Sequence, residues 1–188
     1  LPGVALAVAL ADILVPFALG QQWTGSAVIF QALGFAGLLQ PLNNPSGWLF
    51  ISQGRSTEFM RWGVFVALTS IVAFVIGLPY GAFGVALAYA VSEYVRTPFL
   101  WFYIGKRGPI RAGDVTRVAF PFVVGGHLAV GVLWALRPHL PQDPLPALAL
   151  GTVLSYLMVA GFAALFAPGR ATLRECLQLL RRRQAVAG

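Results

Sequence analysis

Apolar residues gather in six long runs along this chain, at roughly 1–19, 26–52, 62–78, 83–104, 115–136 and 145–167, with short polar connections between them. Within each run they are continuous rather than strictly alternating, a pattern that favours helices over strands. Each run has about the 17 to 25 residues that a helix needs to cross a bilayer, except 26–52, which is too long for one straight span. Pro41 and Pro45 interrupt that run and are expected to kink it. Pro79-Tyr80-Gly81 closes the third run, and Gly20-Gln21-Gln22-Trp23 ends the first.

Composition changes the picture from a soluble helical domain to a membrane one. Of 188 residues, 58% are hydrophobic and only 10% are charged, with a mean hydropathy of +0.77. A soluble domain of this length would need a larger charged shell. Bilayer hydrocarbon offers no water to backbone amides, so each span has to close its own hydrogen bonds as a helix. The expected fold is an all-α integral membrane protein, a bundle of about six transmembrane helices over residues 1–168. A basic tail follows over residues 169–188.

The net charge of +7 would raise the question of nucleic acid in a soluble protein, but its distribution argues against that partner. Arg55 and Arg61 follow the second run, Lys106, Arg107, Arg111 and Arg117 follow the fourth, and Arg170, Arg174, Arg181, Arg182 and Arg183 lie in the tail. The opposite connections hold only Arg137. Charge therefore alternates sides with every span, which makes the basic faces and the C-terminus cytoplasmic. Anionic membrane lipids are the expected partners of this charge. In the tail, Leu173, Cys176, Leu177 and Leu180 stand at i, i+3, i+4 and i+7, the signature of an interfacial amphipathic helix, with a partner-docking helix as the alternative. Leu1 opens inside an apolar run without a signal-peptide flank, so the chain is expected to begin within a longer protein.

Catalytic constellations are thin. His127 and His139 lack a nearby cysteine or carboxylate cluster, the single Cys176 excludes an internal disulfide, and no phosphate loop or nucleophile elbow occurs. Neither an enzyme nor a cofactor is expected. The informative residues are those a span should avoid. Asp12, Glu93 and Arg96 lie inside apolar runs, where a charge facing lipid costs at least about 2.5 to 3.5 kcal/mol. Glu93 and Arg96 are three apart and share a helical face, so they either pair as structure or present a guanidinium to a phosphate or acidic sugar, with Glu93 positioning it. Thr97-Pro98 is expected to bend the helix beside them. Asp12 either finds a hydrogen-bond partner near a helix midpoint or lies shallower than the run implies, and it is the candidate ion-coupling carboxylate. Gln31, Gln40, Asn43, Asn44 and Ser46 gather around the two prolines, as interhelical packing or as a cavity-lining hinge. Trp23, Trp48, Trp62 and Trp101 near run ends read as interface anchors.

Several of these stretches are similar to a known family. Leu19-Gly20-Gln21-Gln22-Trp23, Phe30-Gln31-Ala32-Leu33-Gly34 and Leu39-Gln40-Pro41, followed by Gly47-Trp48-Leu49-Phe50-Ile51-Ser52-Gln53-Gly54-Arg55 and Pro79-Tyr80-Gly81-Ala82-Phe83-Gly84-Val85-Ala86, carry the likeness. The chain resembles the C-terminal half of bacterial lipopolysaccharide and exopolysaccharide flippases, in the multidrug/oligosaccharidyl-lipid/polysaccharide exporter superfamily. The likeness is clearest from about Asp12 to Arg107. It implies a two-lobed fold of roughly 14 helices in the inner membrane, of which these spans would be the last six, with the N-terminal lobe missing. It also implies undecaprenyl-diphosphate-linked oligosaccharide as the substrate. Arg96, Glu93, Asn43, Asn44 and Gln40 are proposed from the residues themselves as substrate-binding, and Arg96 is not a family motif. Two other functions fit the same sequence: a drug or cation antiporter in which Asp12 or Glu93 titrates, and a non-transporting scaffold for polysaccharide synthesis.

Overall fold

The computed structural model describes residues 1–172 except 108, together with 174, 175 and 178. Eight α-helices run from Pro2 to Ala164, and no strand occurs among the described residues: α1 (Pro2–Ala9), α2 (Ala11–Leu19), α3 (Ala27–Asn43), α4 (Ser46–Ser52), α5 (Ser56–Gly77), α6 (Gly81–Gly105), α7 (Ala112–Leu136) and α8 (Pro144–Ala164). Four stretches, Gln21–Ser52, Ser56–Gly105, Ala112–His139 and Pro144–Ala164, are long and apolar enough to cross a membrane, or five when the bent pair α1 and α2 counts as one. The stretch Ser56–Gly105 folds back on itself at Leu78–Tyr80, so α5 and α6 lie antiparallel. The chain is helical again over 167–172, and the apolar stripe expected of the tail helix, Leu173, Cys176, Leu177 and Leu180, lies outside the described residues.

The first run departs from a straight span. Its two helices meet at 89°, with the break at Leu10. No proline or glycine stands there. The bend buries Leu10 completely and brings Asp12 out to the surface in the first turn of α2, where a carboxylate also meets the favourable end of the helix dipole.

The second run breaks at Asn44 and Pro45, whereas Pro41 sits inside α3. The fourth run does not break at all: α6 continues through Thr97 and Pro98 for 25 residues, about 37 Å at 1.5 Å per residue. The remaining runs become helices within a few residues of their expected limits, α5 starting six residues early.

Small residues decide how closely the helices approach. The core forms around α1, where Ala5, Val8, Ala9 and Leu10 pack with Leu38 of α3, Ala129, Val130 and Leu133 of α7, and Val159 of α8. A Cβ on Gly151 of α8 would come within 2.7 Å of Leu6 and 2.8 Å of Leu10, so glycine is what lets α8 touch α1. At the α5–α6 turn a Cβ on Gly77 would lie 2.6 Å from the Val85 Cα, backbone against backbone. Gly81 makes that turn with φ of +70°, a conformation costly for other residues. Small residues at such contacts let helix backbones approach closely. The outer faces of α5 and α6 carry exposed Val64, Leu68, Val75, Val91 and Phe102. So large an apolar surface marks a membrane or partner-facing side.

Candidate functional site

The buried charge of α6 is paired within the helix and tied across to α5. The Arg96 residue is 4% exposed, and its Nη2 bonds the Glu93 carboxylate one turn earlier. Its Nη1 donates to the Val66 carbonyl at 2.9 Å, the Thr69 hydroxyl at 2.9 Å and the Ser70 hydroxyl at 2.7 Å. The Tyr89 ring lies 5.8 Å from the guanidinium carbon. Arg96 thus fastens α5 to α6 some nine residues, about 14 Å, before the end of α6 at Gly105.

A second link joins α3 to the same place. The Asn43 side-chain amide donates to the Thr97 hydroxyl at 2.8 Å, and that hydroxyl donates to the Glu93 carbonyl at 2.9 Å. Because α3 stops at Asn43 and α4 starts at Ser46, the amides at the break face a cleft instead of another helix turn. This cleft has a volume of about 360 Å³. Gln40, Asn43 and Asn44 line it from one side and Glu93, Arg96 and Thr97 from the other. Trp62, Phe59 and Tyr89 contribute aromatic surface to its walls. Five residues singled out in the sequence, Gln40, Asn43, Asn44, Glu93 and Arg96, are therefore brought together.

Asp12 is not among them. Its carboxylate accepts from Arg137 Nη2 at 2.7 Å, in the turn after α7, and both side chains are well exposed. Gln31 is separate too, donating to the Val8 carbonyl at 3.1 Å as a link between α3 and α1. That is the packing role of a span amide.

A larger groove of about 670 Å³ runs between α5 and α6 on the outer side. Apart from Thr69, Ser92, Tyr80 and Arg96 its lining is apolar, so it suits hydrocarbon chains, while the smaller cleft holds the polar chemistry. Arg96 contributes to the wall of both.

Three sets of contacts between helices escaped the sequence reading. Thr69 and Ser70 receive Arg96; their presence as adjacent hydroxyls in an apolar run was the available signal. Tyr94 and His127 share a hydrogen bond that joins α6 to α7, and His127 Nδ1 donates to the Val123 carbonyl at 2.7 Å. Arg55 is the third. It donates to the carbonyls of Tyr103, Ile104 and Arg107 at 3.1, 2.9 and 2.6 Å, and pairs with Glu58 at 2.6 Å. This guanidinium satisfies carbonyls that the end of α6 would otherwise leave open. Among the described residues no three His, Cys, Asp or Glu side chains converge on a possible metal position.

No protein-family model, curated protein or solved structure matches the chain.

Proposed function

We propose that this chain is a membrane-embedded lobe of a translocator that moves lipid-linked oligosaccharide units across the bacterial inner membrane for lipopolysaccharide or exopolysaccharide synthesis. In this reading α5 and α6 cross separately and the bent α1–α2 pair crosses once, which with α3–α4, α7 and α8 makes six crossings. The basic connections and tail lie in the cytoplasm against anionic lipid. An N-terminal lobe completes the cavity, and alternating access carries an undecaprenyl-diphosphate-linked substrate whose lipid stays in the bilayer.

One observation supports the reading above the others. A polar cleft lined by three amides, an ion pair and aromatic rings lies between helices whose outer faces are apolar. Polar groups at membrane depth are expensive, and a broken helix is tolerated where it lines a cavity. The sequence likeness to flippases supplies the substrate class. An antiporter using Asp12 or Glu93 is less favoured, since each of these carboxylates already holds an arginine.

The test uses Gln40→Ala with Asn44→Ala in the native cells. Both side chains are exposed at the cleft, so the fold should survive. The proposal expects reduced surface polysaccharide at equal protein level. Unchanged export would overturn it.

A further inference from the structure

The hairpin of α5 and α6 carries charge at one end only. From Trp62 to Ser92 there is no Asp, Glu, Lys, Arg or His. Where α5 starts and α6 ends, by contrast, the guanidiniums of Arg55, Arg61 and Arg107 all act on one carboxylate, that of Glu58. Arg55 is committed to the carbonyls at the end of α6. Arg107 stands 3.6 Å from Glu58 with its side chain 75% exposed. Arg61, one turn on from Glu58, is exposed, and none of the hydrogen bonds or ion pairs between the described residues uses its guanidinium. Positive charge is therefore left over at this end. Two pockets on the outer side begin there. Arg61, Trp62, Phe65, Phe99, Phe102 and Tyr103 line one of about 330 Å³. Phe65 and Phe99 also line the groove of about 670 Å³ between α5 and α6, so the two are continuous. That groove follows α5 from Phe65 to Gly77, about 18 Å at 1.5 Å per residue.

We propose that this face is a defined site for one anionic phospholipid, its phosphate on Arg61 and Arg107 and one acyl chain in the groove between α5 and α6. Charge complementarity selects the headgroup. Phosphate oxygens accept from guanidinium N–H groups, and the two exposed arginines have donors to spare beyond Glu58. Trp62 and Tyr103 line the pocket between phosphate and chain, the depth at which amphipathic aromatic rings settle in a bilayer. The groove's length selects the chain. One leaflet's share of the hydrocarbon is about 15 Å, half of a core of roughly 30 Å, close to the run from Phe65 to Gly77. Because no charge stands at the Leu78–Tyr80 turn, the site admits the lipid in one orientation only, headgroup toward Arg61. General attraction of the basic connections to anionic headgroups would not need the groove, whereas this site does. The inference requires α5 and α6 to stand in a bilayer and is independent of whether the chain moves a substrate.

The test is native mass spectrometry of the full protein released from nanodiscs made of phosphatidylcholine and phosphatidylglycerol in equal shares. One retained phosphatidylglycerol is expected, in clear preference to phosphatidylcholine. Arg61→Gln, at an exposed position, should weaken its binding about fivefold, the effect of one basic residue near an anionic headgroup. Ala88→Leu, which fills the groove wall and leaves every charge in place, should weaken it as well, with circular dichroism confirming that the helices are kept. Arg117→Gln on α7, exposed and outside both pockets, should not. Equal retention of the two lipids would overturn the inference. So would an Arg117→Gln effect as large as that of Arg61→Gln, which would mean general attraction to the basic side, or binding that ignores Ala88→Leu, which would put the chain outside the groove. A protein that retains no lipid, because a second copy or another helix covers this face, would overturn it too. None of these results bears on the polar cleft, so the translocation reading stands or falls separately.

Discussion

Replacing Arg96 with Met separates what the guanidinium does for the helices from what it does for Glu93. Three bonds to α5 disappear, those to the Val66 carbonyl and the Thr69 and Ser70 hydroxyls. Interhelical hydrogen bonds in membranes average about 0.6 kcal/mol each, so this part amounts to about 2 kcal/mol. The Thr69 hydroxyl is not stranded, since it also donates to the Phe65 carbonyl at 2.8 Å. Glu93 fares worse. Its side chain is 15% exposed and loses its cation, which places the total near the 3 to 5 kcal/mol typical of breaking a buried pair, or about 4 kcal/mol. Adding Glu93→Gln removes the stranded charge. The double variant should regain about 2 kcal/mol over Arg96→Met alone, because replacing both members of a buried pair is often close to neutral. Equilibrium unfolding in mixed micelles, followed by far-UV circular dichroism, reads both differences. An Arg96→Met protein as stable as the parent, or a double variant no better than the single one, would refute this account of the pair.

Other substitutions probe the remaining contacts. Gly77→Ala should destabilise by about 1 to 3 kcal/mol, because the new methyl meets the α6 backbone, whereas Gly131→Ala, with nothing within 4 Å, should leave the unfolding midpoint unchanged or raise it. Arg55→Gln should cost about 2 to 3 kcal/mol and speed amide exchange at the end of α6, since its bonds to carbonyls there are charge-assisted and its side chain is only 10% exposed. Asp12→Asn should change stability by less than about 1 kcal/mol and leave export intact, because the Asp12–Arg137 pair is exposed.

The helices were legible because the apolar runs are long and continuous and are bounded by short polar, Pro- and Gly-bearing connections. The three-residue spacing of Glu93 and Arg96 was enough to place both on one face, and of the two prolines expected to kink the second run Pro45 stands at the break while Pro41 lies inside α3. Asp12 shows where such reading stops. Its apolar neighbours hide the bend at Leu10, which arises from packing of α1 against α3, α7 and α8 and not from any local breaker. Pro98 shows that a proline inside an apolar run need not end its helix: α6 runs on through it, with the Thr97 hydroxyl donating to the Glu93 carbonyl one turn earlier. The partners of Arg96 on α5 and the Asn43–Thr97 link depend on how three helices sit against one another. Sequence spacing within one helix carries no information on that. Arg55 looked like topogenic charge because its acceptors, backbone carbonyls about 50 residues later, have no sequence signature.

Thiol labelling in native membranes tests the central claim, a polar cleft inside a lipid-embedded bundle, most directly. Single cysteines would be placed at Gln40 and Asn44 in the cleft and at Leu68 and Val75 on the outer face of α5, in a Cys176→Ser background. The account predicts that a membrane-impermeant reagent reaches the cleft positions from the cytoplasmic side and leaves the α5 positions unlabelled. Equal labelling at all four positions would contradict it.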